Sequence, residues 1–246
     1  MQKDKDMRIA VVTGASRGIG KGVVKVLAAE GYRVHGCSAN PDRVEAMVAE
    51  MAGEGLEVVG TPCDVSDRGA VVAFIQGVVE REGRIDVLVN NAGIWKGTPL
   101  LEIAEEEWDQ MFAVNVKGTL FFLQEVGRHM VEAGRGVIIN MASDAGKTGG
   151  AIPCSHYAAT KAAIISLTKS MATEFAPLGI RVNAVSPGLI TTDMTAEVMK
   201  TRKVNIPLNR MGTPDEVAQA VAFLASEKAS YITGEILDVN AGLVKD

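Results

Sequence analysis

Three cysteines, three histidines and an aromatic content of 4% leave this 246-residue chain poor in the side chains that build disulfide frameworks and metal centres. Cys37, Cys63 and Cys154 are odd in number and show no CxxC or CxxH spacing, so they read as small, half-buried thiols and no metal site is expected. No apolar run reaches the ~20 residues that cross a bilayer, and the start "MQKDKDMRIA" is short and charged rather than signal-like. A cytoplasmic protein without a membrane partner is expected. The net charge of −5, with no block of Lys or Arg, gives no electrostatic footprint for nucleic acid.

What is present is an ordinary globular composition, 47% hydrophobic and 22% charged, with no Pro/Ser-rich or charged linker to divide residues 1–246 into more than one domain. Seven short runs rich in β-branched residues recur: "RIAVVTG", "YRVHGCS", "LEVVGTP", "RIDVLVNNAG", "GVIINMAS", "GIRVNAVSPG" and "EILDVNAG". Most are apolar without alternation, as strands of a parallel sheet buried on both faces are. Helical patterns lie between them, among them "GKGVVKVLAAEG", "RGAVVAFIQGVVEREG" and "TPDEVAQAVAFLAS", the last opened by a Thr cap at Thr213 and by Pro214. Strand and helix alternate along the whole chain. That predicts an α/β, three-layer, doubly wound fold around a seven-stranded parallel sheet, with ligands bound at the carboxyl ends of the strands.

"VVTGASRGIGKG" leaves the first strand through Gly14, Gly18 and Gly20 and opens a helix. Glycines there let the backbone approach a pyrophosphate, and the helix N-terminus offers free N–H groups to it. A glycine turn alone can also be only a turn; its place between strand and helix is what favours a dinucleotide. Where an acid would hold the ribose 2′-hydroxyl of NAD, the chain reads "HGCSANPD". Ser38 and Asn40 can donate there and Arg17 supplies a cation, so NADP(H) is expected over NAD(H), which stays possible if Asp42 swings back. Asp64 can accept from an adenine amino group, and the Asn91-Ala92-Gly93 turn can line the ribose side. Asp67 reads as a helix cap.

"SHYAATKAA" places Tyr157 and Lys161 four residues apart, on one face of a helix. Together with Ser143 at the end of a strand, "TGASRGIG", "NNAG", the Asn115 of "AVNVKG", "YAATK" and "SPGLITTDM" resemble the classical short-chain dehydrogenase/reductase family over about Met7 to Gly242. The resemblance implies Asn115, Ser143, Tyr157 and Lys161 as catalytic residues. It implies cofactor contacts from Gly14, Ser16, Arg17, Gly18, Ile19, Gly20, Ser38, Asn40, Asp64, Val65, Asn91, Ala92 and Gly93. Tyr157, Lys161, Pro187, Gly188, Ile190 and Thr192 complete that set. Tyr157 would be the proton donor or base, and Ser143 would hold the substrate oxygen. Lys161 would hold the nicotinamide ribose, and Asn115, within the fourth main helix, a water linking the lysine to solvent. A cation about 4 Å away at a dielectric of about 20 is worth roughly 4 kcal/mol, enough to lower a phenol's pKa by up to about 3, so Lys161, helped by the positive nicotinamide of the oxidised cofactor, is expected to bring Tyr157 near working pH.

"NRMGTPDEVAQAVAFLAS" and "FLASEKASYITGEILDVNAG" resemble the bacterial 3-oxoacyl-(acyl-carrier-protein) reductase-like members. A ketone/secondary-alcohol oxidoreductase follows, with a 3-oxoacyl thioester as first substrate and a polyol, sugar or cyclic alcohol as the alternative; a non-catalytic cofactor-binding scaffold is the reading from another class. An acyl carrier protein as partner rests on Arg128, whereas Thr173 before Glu174 and the weakly charged "VEAGRG" offer it little. The resemblance implies a short substrate lid at about 190–206, with Met194 and Met199 as adaptable contacts, and a homotetramer assembled through the fourth and fifth main helices. Trp95 reads either as a wall of the substrate entrance or as core, and His156 as a structural or substrate-wall residue.

Overall fold

The computed structural model describes residues 7–150, 152–196 and 205–245. Seven strands form one parallel sheet in the order β3-β2-β1-β4-β5-β6-β7: β1 Ile9–Thr13, β2 Arg33–Ser38, β3 Val58–Pro62, β4 Val87–Asn90, β5 Gly136–Met141, β6 Ile180–Pro187 and β7 Ile236–Val239. The order reverses between β1 and β4, which opens a crevice at the carboxyl ends of those strands. Successive side chains of a strand point to opposite faces, and β1 shows it directly. Ala10 and Val12 pack with helices α1 (Gly18–Ala29), α2 (Pro41–Gly53) and α8 (Pro214–Ala225), while Ile9 and Val11 pack with α3 (Arg68–Glu82), α5 (Thr119–Ala133) and α7 (Ser155–Phe175). The expected three-layer doubly wound fold is thus present. The central strands are buried on both faces, whereas β3 and β7, at the sheet's two edges, are only part-buried.

Local chemistry explains the element ends. Asp67 caps α3, its Oδ1 accepting from the N–H groups of Gly69 and Ala70 at 2.8 and 3.2 Å. Asn40 caps α2, accepting from the Arg43 N–H at 2.9 Å. A polar ladder crosses the apolar sheet: Asn90 Nδ2 donates to Asn140 Oδ1 at 2.9 Å, and Asn140 Nδ2 to Thr168 Oγ1 at 3.0 Å, tying β4 and β5 to α7.

Residues after Ser143 form the short helix α6 (Asp144–Thr148), capped by Ser143 itself through the Ala145 N–H at 3.2 Å. One segment differs from the sequence reading. Asn115, placed by the sequence inside one long helix, lies in a π-helical turn, Ala113–Gly118, between α4 (Glu105–Phe112) and α5. Such a widened turn reorients the residues it carries, and these turns recur at functional sites. Of the lid, Ile190 to Ala196 and residues 205–206 are described, with Ile190 bridged to Gly212; Met199 lies outside the described residues.

Helix α8 begins with a full capping box, in which Thr213 Oγ1 accepts from the Glu216 N–H at 3.3 Å and Glu216 Oε2 accepts from the Thr213 N–H at 2.8 Å. Thr213→Ala should therefore cost about 1 kcal/mol, a fall of about 2–4 °C in the unfolding midpoint for a chain of this size. Scanning calorimetry checks it, and the Michaelis constants should not move.

Candidate functional site

A cleft of about 750 Å³ runs across the carboxyl ends of the strands. Its first half is the turn from β1 into α1. Gly14 has a φ of +63°, and a Cβ on Gly20 would lie 2.1 Å from the Gly14 carbonyl oxygen and 2.4 Å from Asn91 Nδ2, so the turn closes only with glycine there. Thr13 Oγ1 accepts from the N–H groups of Asn91 and Ala92 at 3.0 and 2.9 Å, locking this turn to the end of β4. Asn91 spends its side-chain amide on the carbonyls of Thr13 and Gly14, at 2.9 and 3.1 Å, and so shapes the cradle through its own side chain.

Ser16, Arg17, Gly18, Ile19, Ser38, Asn40, Asp64, Val65, Ala92 and Gly93 line this half with them. Ser16 Oγ donates to Ser38 Oγ at 2.9 Å, and Arg17, exposed, lies 3.7 Å from Asp193. Asp64 turns one carboxylate oxygen to the Ser66 N–H and hydroxyl, at 2.9 and 2.7 Å. Asp42, the acid that would have favoured NAD, sits in the first turn of α2 and does not line the cleft; its neighbour Arg43 does, and sequence reasoning missed it. The missed signal was the cap at Asn40, since a helix starting there turns the third residue after it back towards the cleft. A glycine-tight turn at a helix N-terminus, flanked by two arginines, fits a dinucleotide with a phosphorylated ribose.

The second half holds Ser143, Tyr157 and Lys161. Tyr157 and Lys161 stand one turn apart on α7, and Ser143 comes to them from the end of β5 because α6 packs against α7 at Gly146, where a Cβ would meet the Lys161 backbone at 2.7 Å. The Ser143 hydroxyl shares the cleft with the Tyr157 phenol and is near enough to favour its ionised form. Lys161 is 4% exposed, and its Nζ donates to the Met141 carbonyl at 2.7 Å. Pro187, Gly188, Ile190 and Thr192 close the cleft's far wall, joined by Trp95, Cys154 and Met194.

The electrostatics of this pair correct the sequence reading. Burial pushes the Tyr157 phenol up to about 12, an effect that its contact with Ser143 opposes and the nearby Asp144 adds to. Burial brings Lys161 down to about 8. Nζ lies 5.7 Å from the centre of the tyrosine ring, and the lysine is not among the groups that shift the phenol. In the protein alone, desolvation outweighs the attraction, and the lysine does not bring the phenol towards neutrality.

Asn115 is the one expected catalytic residue that does not line the cleft. It is 1% exposed, one layer behind. Its Oδ1 accepts from the Ile94 N–H at 2.8 Å, and its Nδ2 donates to the Ile94 carbonyl and to Thr160 Oγ1, at 3.0 and 3.1 Å. Thr160 Oγ1 in turn donates to the Tyr157 carbonyl at 2.7 Å. The chain Ile94–Asn115–Thr160–Tyr157 ties the strand-end loop to α7, a role no sequence spacing announces. His156 is fully buried with Nε2 2.9 Å from Glu107 Oε1, consistent with a structural histidine.

The comparisons with known proteins agree with this geometry. A family model described as Enoyl-(Acyl carrier protein) reductase matches residues 14–244. The 3-oxoacyl-(acyl-carrier-protein) reductase of Staphylococcus aureus (strain Mu50 / ATCC 700699) is 42% identical over 244 residues, 97% of this chain and 99% of that one. A crystal structure of a 3-oxoacyl-(acyl-carrier-protein) reductase with bound NAD from Brucella melitensis is 39% identical, with a TM-score of 0.90 over 99% of this chain and 94% of that one. A crystal structure of a single-substitution variant of actinorhodin polyketide ketoreductase with NADPH is 35% identical, with a TM-score of 0.92 over 97% and 98%. On its cleft and on these likenesses, the chain belongs to the short-chain dehydrogenase/reductase family of NAD(P)-dependent oxidoreductases.

Proposed function

We propose that the protein is an NADP(H)-dependent reductase of 3-oxoacyl thioesters, working reversibly between the ketone and the secondary alcohol. The observation that carries the reading is that Ser143, Tyr157 and, one helical turn on, a buried Lys161 line the same cleft as the glycine cradle. NADP(H), when bound, supplies or accepts the hydride. Tyr157 gives its phenolic proton to the substrate's carbonyl oxygen in reduction and takes it back in oxidation. Ser143 donates to the same oxygen as charge grows on it. Lys161 has two donors beyond its bond to Met141, free for the ribose hydroxyls, and its ammonium balances the phenolate that Tyr157 becomes. Asn115 is a positioning residue whose Oδ1 keeps a lone pair for a water leading from Lys161 to solvent.

The thioester reading rests on the relatives named above. Support for a docked carrier protein is weaker, because exposed Arg128 is paired with Glu125 at 2.7 Å and Arg68 approaches the same carboxylate at 3.4 Å. Assembly as a homotetramer is part of the proposal; part-buried Phe121 and half-exposed Val131 on α5 are the kind of surface a second copy covers.

Tyr157→Phe should leave cofactor affinity nearly intact and lower kcat at least about a hundredfold, measured by NADPH oxidation with an acetoacetyl thioester; undiminished turnover would remove the assignment. Lys161→Met should also lose turnover while raising the unfolding midpoint at pH 7. A lysine shifted from 10.5 to about 8 by burial costs the fold on the order of 3 kcal/mol while it is protonated. The unfolded chain binds that proton more tightly, so wild-type stability recovers as pH rises from about 8 towards 10.5, and the gap between the two proteins should narrow there.

With two arginines and no ribose-side acid at the cleft, kcat/KM for NADPH should exceed that for NADH by about tenfold or more, about 1.4 kcal/mol. Arg43→Ala should erode this ratio through the KM of NADPH. A wild-type preference for NADH would overturn the cofactor assignment.

A further inference from the structure

Asp144 has no part in the chemistry described so far, yet it lines the cleft beside the reacting groups. The Ser143 hydroxyl donates to its Oδ1 at 3.2 Å, while the Ala145 N–H donates to Ser143 Oγ. A carboxylate offers about four lone-pair sites, so accepting capacity is left for a ligand in the cleft that Asp144 lines. The charged and titratable groups around it are Tyr157 and Cys154, both of which feel its charge, and Asp238, which is held by Lys147 at 2.9 Å.

Ser143 has a single hydroxyl hydrogen. While that hydrogen points at Asp144 it is not directed at a substrate carbonyl, so the acid competes with the substrate for the donor that steadies it. A hydroxyl on the carbon next to the carbonyl ends this competition: it donates to Asp144, and the serine hydrogen turns to the carbonyl oxygen. A methyl or methylene group at that position can do neither. Sites built to receive a substrate hydroxyl discriminate against analogues that lack it, because the polar group of the site is left unpaired.

We propose that Asp144 is a specificity-determining residue that accepts a hydrogen bond from a hydroxyl adjacent to the reacting carbonyl, making α-hydroxy ketones, and vicinal diols in the reverse direction, preferred substrates of this cleft. The proposal rests on the roles given above to Ser143 and Tyr157, and it extends the substrate class beyond plain 3-oxoacyl thioesters.

Hydroxyacetone and butanone differ only by a hydroxyl in place of a methyl next to the carbonyl, and they isolate the effect. With NADPH at pH 7, the wild-type kcat/KM should favour hydroxyacetone by about tenfold or more. Asp144→Leu should bring the ratio near unity. Asp144→Asn, close in shape and still carrying one accepting oxygen, should reduce it at least about threefold with an unchanged unfolding midpoint, which guards against a leucine variant that does not fold. A ratio unaltered in the asparagine variant, or no wild-type preference, including no measurable turnover of either ketone, overturns the proposal. An acetoacetyl thioester assayed in parallel separates the two readings. Its turnover without a hydroxyacetone preference sinks the role of Asp144 alone, and an Asp144-dependent preference with an inert thioester sinks the thioester reading alone.

Discussion

A buried ammonium without a carboxylate partner among the described residues organises this molecule. Lys161 is almost wholly enclosed, and within the described residues its Nζ donates to the Met141 carbonyl. Burial of an unpaired charge is costly, and the structure around Lys161 holds it in place despite the cost. Gly146 lets α6 approach the lysine's own backbone, and Gly93 leaves room where a Cβ would lie 3.7 Å from Nζ and 3.3 Å from Asn115 Oδ1. The Asn115–Thr160 relay fixes the turn of helix that carries the pair. Stability is given up at the position where the proposed function needs a cation.

The two halves of the cleft depend on each other through the same logic. The cradle at Gly14 and Gly20 is closed by Thr13 and Asn91, whose bonds reach from β1 to the end of β4. Two residues after Asn91, Gly93 faces Asn115 and Lys161. One short loop therefore sets both the place where a pyrophosphate would lie and the distance to the catalytic pair. The phenol, held near 12 in the protein alone, is a poor base at neutral pH. An added positive charge in the cleft would bring it towards a working range, which under the proposed function couples proton transfer to cofactor binding.

Much of this was legible in the sequence, because the informative residues terminate strands whose apolar runs are easy to see. The seven strands, the glycine turn, the Tyr157–Lys161 spacing and the caps at Asp67 and Thr213 all follow from local rules that tertiary packing left intact. Other features depend on contacts distant in sequence. The π-turn at Asn115 has no composition of its own, since it exists to reach Ile94 and Thr160. The direction of the Tyr157 shift also escaped, because spacing specifies which side chains share a face and says nothing of how far the surrounding protein has displaced water. Arg43 and Asp144 escaped for other reasons: Arg43 reaches the cleft through the cap at Asn40, which the sequence reading took for a ribose-side donor, and Asp144 adjoins Ser143, whose expected role drew the reading.

The central claim is that the enclosed phenol is unactivated in the free protein and becomes a competent acid and base only when positive charge joins Lys161 in the cleft. An ultraviolet difference titration of the phenols, with Tyr157→Phe subtracted to isolate one of the chain's three tyrosines, tests it most directly. The account predicts that Tyr157 ionises near 12 in the free protein and at least about one pH unit lower with saturating oxidised cofactor. The same midpoint in both states would contradict it.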